Sequence, residues 1–457
     1  MKGGRGGGAP SAEYNILLTA TLCLLAFGAV MVFSASSTTR ILEDGSLSNS
    51  AYFLKRTLLF GAAGLIVMQL TSRYGLRPIR ALTPTILALS FFLLMAVLVV
   101  GTSVNGASRW IGSGFLQIQP SELGKLAVVL YGAHMLAAKP KAALTVGGMM
   151  PYLLVVGAVC GLVMLEPDLG TMLVTAFAVG AMLIAAGARL RDLLLIAAVL
   201  GFLVLIAILF EPYRRDRLIG FLNPGQDVAG SGFQAMQAKI ALGSGGVFGQ
   251  GLGDGVQKAF YLPEAHTDMI SAVIGEELGL VGIGGVVGLF GLFGYAGLRI
   301  AQSARDTYGK LLAAGLTSLI LVQALINLYA VMGLAPLTGV PLPFVSYGNS
   351  SLLVSLAAVG LILGVARDSA AGAARKPASQ GAATAKRKPR KKTASRPAGT
   401  KRSAAPAGHA GKLRVVEGGR RRAGGRSGAS GAKSGDSSRG NRGARRARHG
   451  GRRRASR

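Results

Sequence analysis

The stretch YLPEAHTDMISAVIGEELG, residues 261–279, sets Glu264, His266, Asp268, Glu276 and Glu277 directly before a run without charge that begins at Leu278. A carboxylate can take a proton from a hydroxyl, and burial beside apolar groups tunes the pH at which it does so. Read as a helix, the segment lifts Asp268 about 15 Å above the apolar run, at ~1.5 Å of rise per residue. Glu264 and Asp268 would then share one helical face. A capped, solvated helix entrance is the plainer alternative. Glu276 and Glu277, nearer the apolar run, are expected to pair with a basic residue rather than react.

Other polar islands carry complementary groups. The segment 211–266 supplies Arg214, Arg215, Arg217, Lys239 and Lys258. Arg grips a phosphate through a planar fork and Lys as a point charge. Within it, GSGGVFGQGLGDG (243–255) could approach a ligand by its backbone or could simply be flexible; spacing does not decide. Glu122 and Lys125, three apart in QPSELGKLA, are either a self-satisfied ion pair or a lysine held toward an anion. Glu166 and Asp168 flank Pro167 in a turn between two apolar runs, and Arg109 lies in NGASRW. The run PLTGVPLPFVSYGNSS contains three prolines and cannot be a regular helix. Ser346, Tyr347, Asn349 and Ser350 would supply its hydrogen bonds.

The elements that must position these groups are membrane helices. Mean hydropathy is +0.47 over 457 residues, and a span needs about 20 mostly apolar residues. Ten candidates fall near 15–34, 52–71, 82–101, 120–138, 146–165, 169–188, 193–210, 278–298, 311–335 and 350–366. The expected fold is an all-α integral membrane protein with a long extracytoplasmic loop, about 211–266, between spans 7 and 8. Loops after even-numbered spans carry most of the Lys and Arg, which places both termini in the cytoplasm; Lys55 and Arg56 are exceptions. The polar islands all follow odd-numbered spans, so they share the outer face.

Charge divides the chain again. Residues 1–366 carry a net +6, and 367–457 a net +25, with 28 Lys and Arg against three acids. The expected organisation is a cytoplasmic segment 1–13, a ten-span body 14–366, and a basic tail 367–457 with too little apolar content to fold. The tail suits anionic lipids or acidic cytoplasmic proteins better than nucleic acid, because the bilayer tethers it. Cys23 and Cys160 lie in apolar runs and form no disulfide framework. There is no GxxxxGK[ST] phosphate loop and no HExxH, so ATP-driven and zinc-protease chemistry have no support. Carboxylates and phosphate-binding cations at an outer interface point to an amphiphilic ligand, with its tail in the bilayer and phosphate at the surface.

NGASRWI, QPSELGKLA, EPDLGT, RDRLIGFLNP, GQGLG, YLPEAHTD followed by AVIGEELG, and PLPFVSYGNSSL, spread through residues 14–366, resemble the SEDS family of bacterial cell-wall glycosyltransferases, and its division branch more than its elongation branch. The sporulation branch is close. The resemblance implies polymerisation of lipid II at the outer face of the cytoplasmic membrane, at the septum, with a class B penicillin-binding protein and other division proteins as partners. It implies that Asp268 is the essential aspartate. Met269, Ile270, Ser271 and Asn349 depart from the family's usual residues and weaken the transfer of loop geometry. On this reading one base suffices, and Arg109, Lys125, Arg214, Arg215, Lys239, Lys258 and Ser346 are candidates for holding substrate pyrophosphate. Glu122, Glu166, Asp168, Glu264, His266, Glu276 and Glu277 would support them. The departing pyrophosphate can be neutralised by Arg and Lys or by a divalent cation, Mg or Mn, and the residues leave that choice open. A lipid II flippase and a scaffold without chemistry are the competing readings.

Overall fold

The computed structural model describes residues 11–44, 52–104, 107–112, 117–223, 231–259 and 261–375, and all ten expected apolar runs are helical. They begin with α1 (Ala12–Asp44), α2 (Tyr52–Tyr74) and α3 (Leu76–Val100). A small antiparallel hairpin, β1 (Thr102–Val104) and β2 (Ala107–Trp110), precedes α4 (Pro120–Ala138). Then follow α5 (Val146–Leu165), α6 (Leu169–Ala186) and α7 (Leu190–Phe210). The expected long loop is partly helical, folding into α8 (Pro212–Leu222) and α9 (Ser231–Gly245). The bundle closes with α10 (Ile270–Ser303), α11 (Thr307–Val331) and α12 (Asn349–Arg375).

Among the described residues, nine of these helices are long and apolar enough to cross a membrane. The remaining expected span, α4, carries Glu122 and Lys125 and packs against α3, α6 and α11. Its surroundings are protein, so it needs no continuous apolar surface. The helices at the centre are α11 and α12, with 72% and 83% of their apolar windows enclosed, whereas α7 has 0% enclosed. Its long apolar stretch, with no fully buried residue, is suited to acyl chains rather than water.

Polar contacts sort the two ends of the bundle. Arg367 on α12 donates to Tyr14 Oη (2.7 Å) on α1 and Ser72 Oγ (3.0 Å) on α2. The Arg80 guanidinium lies 5.2 Å from the Tyr308 ring centroid. These residues sit at the ends distant from the polar islands. Helix α12 runs on to Arg375, past the expected start of the tail at Arg367. The expectations for residues 1–10 and 376–457 lie outside the described residues.

The stretch 261–279 departs most from its expected form. Residues 261–269 form successive turns, α10 starts only at Ile270, and Glu276 and Glu277 lie inside it. The helix then breaks at Gly279, whose φ of 64° and ψ of −158° suit glycine. The broken ladder is repaired by the glycine-rich run. Gln250 and Gly251 N–H donate to the Glu276 and Glu277 carbonyls (3.0 and 3.1 Å), and Leu280 and Val281 N–H to Gly246 and Val247 (3.0 and 3.2 Å). A Cβ on Gly249 would stand 2.1 Å from the Glu277 oxygen. The glycines thus admit a helix backbone, a role that neither expectation for this run had named.

Candidate active site at one end of the bundle

All the polar islands meet at one end. Gln119 N–H donates to Ser350 Oγ (3.2 Å), and its amide to Asp168 Oδ2 (3.3 Å). Arg109 donates to the carbonyls of Glu166 (3.2 Å) and Pro167. Tyr347 N–H donates to the His266 carbonyl (3.0 Å). The parity of the spans and the packing therefore describe the same shared face.

Asp268 lies in the turn just before α10 and is half-buried. Its neighbour Glu264 is exposed and holds a left-handed backbone (φ 54°). This turn, rather than a helical face, brings the two acids together: the Thr267 hydroxyl is 2.8 Å from Glu264 Oε2 and 3.3 Å from Asp268 Oδ1. Across the site, Gly339 stands between Asp268 and Arg217; a Cβ there would lie 3.9 Å from Asp268 Oδ2 and 3.8 Å from Arg217 Nη1. Burial pushes the Asp268 carboxyl up to about 6, and Glu264 adds to the rise. Arg217 and hydrogen bonds from the backbone and Thr267 oppose it. The result is a carboxylate mostly ionised at neutral pH, yet more basic than a solvated aspartate.

Beside it is a narrow cleft lined by Arg217 and Phe221 of α8, Ala235 and Lys239 of α9, and Ala330, Gly333, Ala335 and Leu337. Arg217 donates to the Leu337 carbonyl (3.0 Å) on the cleft wall, and Lys239 is exposed with its stem across Gly333. Arg215 is exposed one residue after Arg214. Arg217, absent from the candidate set above, is thus the cation that reaches both Asp268 and the cleft. Its signal was its presence in RRDR, but nothing in that run ranks one arginine over another.

Several expected phosphate ligands are engaged elsewhere. Arg214 donates to the carbonyls of Met164 (2.6 Å) and Ala207 (3.1 Å), in the last turns of α5 and α7. Helix C-termini carry unsatisfied carbonyls and a partial negative charge, which is where a guanidinium belongs. Arg109 serves the end of α5 in the same way. Lys125 is buried between Glu122 (2.9 Å) and Gln323 (2.8 Å). Lys258, 1% exposed, pairs with Glu277 (2.6 Å), and Ser34 Oγ lies 2.7 Å from both Glu277 oxygens. Ser346 Oγ accepts from Leu342 N–H (2.8 Å) and closes its own loop. Glu276 accepts from the N–H groups of Val256 (2.8 Å) and Gln257 (3.0 Å), not from a cation. Asp168 caps α6 through Thr171 N–H (3.0 Å).

A second cluster flanks the site. The His266 ring centroid lies 4.4 Å from Phe53 and 5.6 Å from Tyr347. Arg56, only 7% exposed, donates to Tyr52 Oη (3.1 Å) and stands 6.0 Å over the Tyr347 ring. That enclosure accounts for one of the two cations that loop charge alone left as exceptions.

Glu166 is buried, and neither side-chain oxygen has a hydrogen-bond partner among the described residues. Burial and the neighbouring Asp168 push its carboxyl from 4.5 up to about 8, against the pull of Arg109. It is protonated when folded and ionised when unfolded between those values. The folded chain therefore holds the extra proton, and stability is lost as pH rises through that window. The expected result is a melting temperature that falls from about pH 6 to about pH 8, and a shallower fall in Glu166→Gln. An unchanged slope in the variant would refute the assignment.

Among the described residues no group of three or more His, Cys, Asp or Glu side chains is placed to hold a metal ion.

A bundle of apolar helices with an ionisable, cation-flanked site at one end is a polytopic membrane protein equipped for chemistry at the bilayer surface. Residues 15–371 match the model of the FtsW, RodA and SpoVE family, described as cell cycle proteins. The chain belongs to that family. It is 43% identical over 358 residues to the probable peptidoglycan glycosyltransferase FtsW of Trichlorobacter lovleyi, covering 78% of this chain and 93% of that protein. It is 41% identical over 359 residues to stage V sporulation protein E of Bacillus subtilis, covering 78% and 97%. Among solved structures it resembles a chain of a peptidoglycan synthase complex that coordinates polymerization and crosslinking, with TM-score 0.64 and 31% identity over 77% of this chain and 97% of that one. It also resembles the rod shape determining protein RodA of Thermus thermophilus, with TM-score 0.57 and 30% identity over 77% and 96%.

Proposed function

We propose that this protein is a peptidoglycan glycosyltransferase that polymerises lipid II into glycan strands at the outer face of the cytoplasmic membrane. The observation that carries the reading is Asp268: a half-buried carboxylate, raised to about 6, facing Arg217 across Gly339 beside a cleft that also holds Lys239. Asp268 accepts the proton of a sugar hydroxyl as that oxygen bonds to the anomeric carbon of a second lipid-linked disaccharide. The bond from that carbon to pyrophosphate breaks in the same displacement, inverting the α-linked donor to a β-linked product. Arg217 and Lys239 take the charge of the departing prenyl pyrophosphate. Arg109, Lys125, Arg214 and Lys258 are assigned instead to holding the scaffold.

Loop charge supports a cytoplasmic location for both termini and an outer location for the site. The relatives named FtsW support septal synthesis during division, with a class B penicillin-binding protein as crosslinking partner. The tail suits the anionic inner leaflet. The test incubates purified protein and its partner with lipid II and reads polymer on a gel. Polymer supports the reading. Translocation of lipid II without polymer would favour a flippase, and neither would favour a scaffold.

A further inference from the structure

The loop from Leu337 to Pro341 forms one wall of the site, and its backbone cannot satisfy itself. Pro336, Pro341 and Pro343 lack N–H groups, and Gly339 turns the chain with φ 69°. Its carbonyls are taken by side chains instead. Arg217 donates to Leu337 (3.0 Å), Asn327 to Val340 (2.8 Å) and Gln323 to Pro341 (3.0 Å). Gln323 and Asn327 are one turn apart on α11, the enclosed central helix, and both are buried.

Asn327 does more than hold this wall. Its Nδ2 also donates to the Asp268 backbone carbonyl (2.8 Å), and its Oδ1 accepts from Ser271 Oγ in the first turn of α10 (2.5 Å). Both donors and the acceptor of one amide are thereby used. The side chain joins the turn bearing Asp268, the helix after that turn, and the loop whose Gly339 lies against the carboxylate. The planar amide spaces its two donors rigidly, which sets the Asp268 backbone relative to Val340.

We propose that Asn327 is the positioning residue of this site, fixing Asp268 against the 337–341 wall so that its carboxylate meets the acceptor hydroxyl. The inference rests on Asp268 being the base. Misplacing a reacting group by about 1 Å can cost roughly 10²-fold in rate. Asn327→Ala removes the amide but touches no substrate group. It should lower kcat for lipid II polymerisation by about 10²-fold while KM stays near the wild-type value. Ser271→Ala leaves the two donors but frees the amide to turn, and should lower kcat by about tenfold with KM again unchanged.

The experiment measures kcat and KM of full-length protein with its partner for Asn327→Ala, Ser271→Ala and Asp268→Asn, beside melting temperatures in detergent. A selective fall in kcat for either of the first two variants supports the proposal. If Asn327→Ala does not fold, Ser271→Ala decides: an unchanged kcat overturns the proposal. Wild-type kcat in a folded Asn327→Ala also overturns it, as does a fall in apparent kcat that disappears once rates are divided by the folded fraction. If Asp268→Asn polymerises at the wild-type rate, the reading of the base fails, and this outcome is distinct from an inactive Asp268→Asn beside a normal Asn327→Ala.

Discussion

Asp268→Asn will reduce lipid II polymerisation by roughly 10² to 10⁴-fold, the usual cost of losing a general base, while the protein still inserts and binds its partner. Asparagine keeps the shape and most of the hydrogen bonding of the side chain but cannot take a proton at neutral pH. The fold has little reason to fail. What anchors this turn is the Asp268 carbonyl on Asn327, and a backbone carbonyl survives the substitution.

The pH dependence adds an independent check with a definite sign. With the Asp268 carboxyl at about 6, the wild-type rate should fall about tenfold per unit below that pH, because protonated carboxyl is no base. Glu264→Gln removes a neighbouring negative charge that raises this value, so its acid limb should move to lower pH with a smaller loss of rate. Arg217→Met removes the opposing positive charge, so its limb should move to higher pH. A near wild-type rate in Asp268→Asn would remove Asp268 as the base. A fall in lipid II translocation with polymerisation intact would transfer the function to transport.

The largest loss of stability is expected at Lys258. The lysine and Glu277 are 1% and 0% exposed, with Ser34 Oγ and the Gly253 carbonyl (2.7 Å) completing the lysine's shell. Lys258→Met leaves the Glu277 carboxylate buried without its counter-charge, a change that costs about 3–5 kcal/mol in such pairs. Replacing both partners by Lys258→Met with Glu277→Leu should recover most of that loss, because neither charge then remains. The pair also joins the two ends of the segment that carries Asp268, so the single variant should lose polymerase rate as well. Thermal melting in detergent checks the first effect and the polymer gel the second. A Lys258→Met protein that melts with the wild type would show that the pair is not holding α1, α10 and the glycine-rich run together.

These two sites differ in how much of them a sequence exposes. The apolar runs announce every long helix, because the length of hydrocarbon to be crossed imposes a length on the chain that crosses it. The order of those runs places every polar island at one end, since each span reverses the chain. Asp268 stands out by being ionisable so close to an apolar run. All of this is information local to a few dozen residues.

The fate of the charges is not local. RRDR offers three similar arginines; Arg214 goes to two helix ends and Arg217 to the site because α8 lies across the ends of α5 and α7. Lys258 looks like a phosphate ligand until Ser34, on a helix more than two hundred positions earlier, is brought against Glu277. Asn327 reads as an ordinary polar residue in a membrane helix until α11 is enclosed and Asp268, Val340 and Ser271 converge on its amide. A buried charge or amide must find partners, since water is not there to serve it. Residue type therefore determined which groups could react in this protein. Packing alone decided which were consumed as one another's partners, because that depends on distances between helices far apart in the chain.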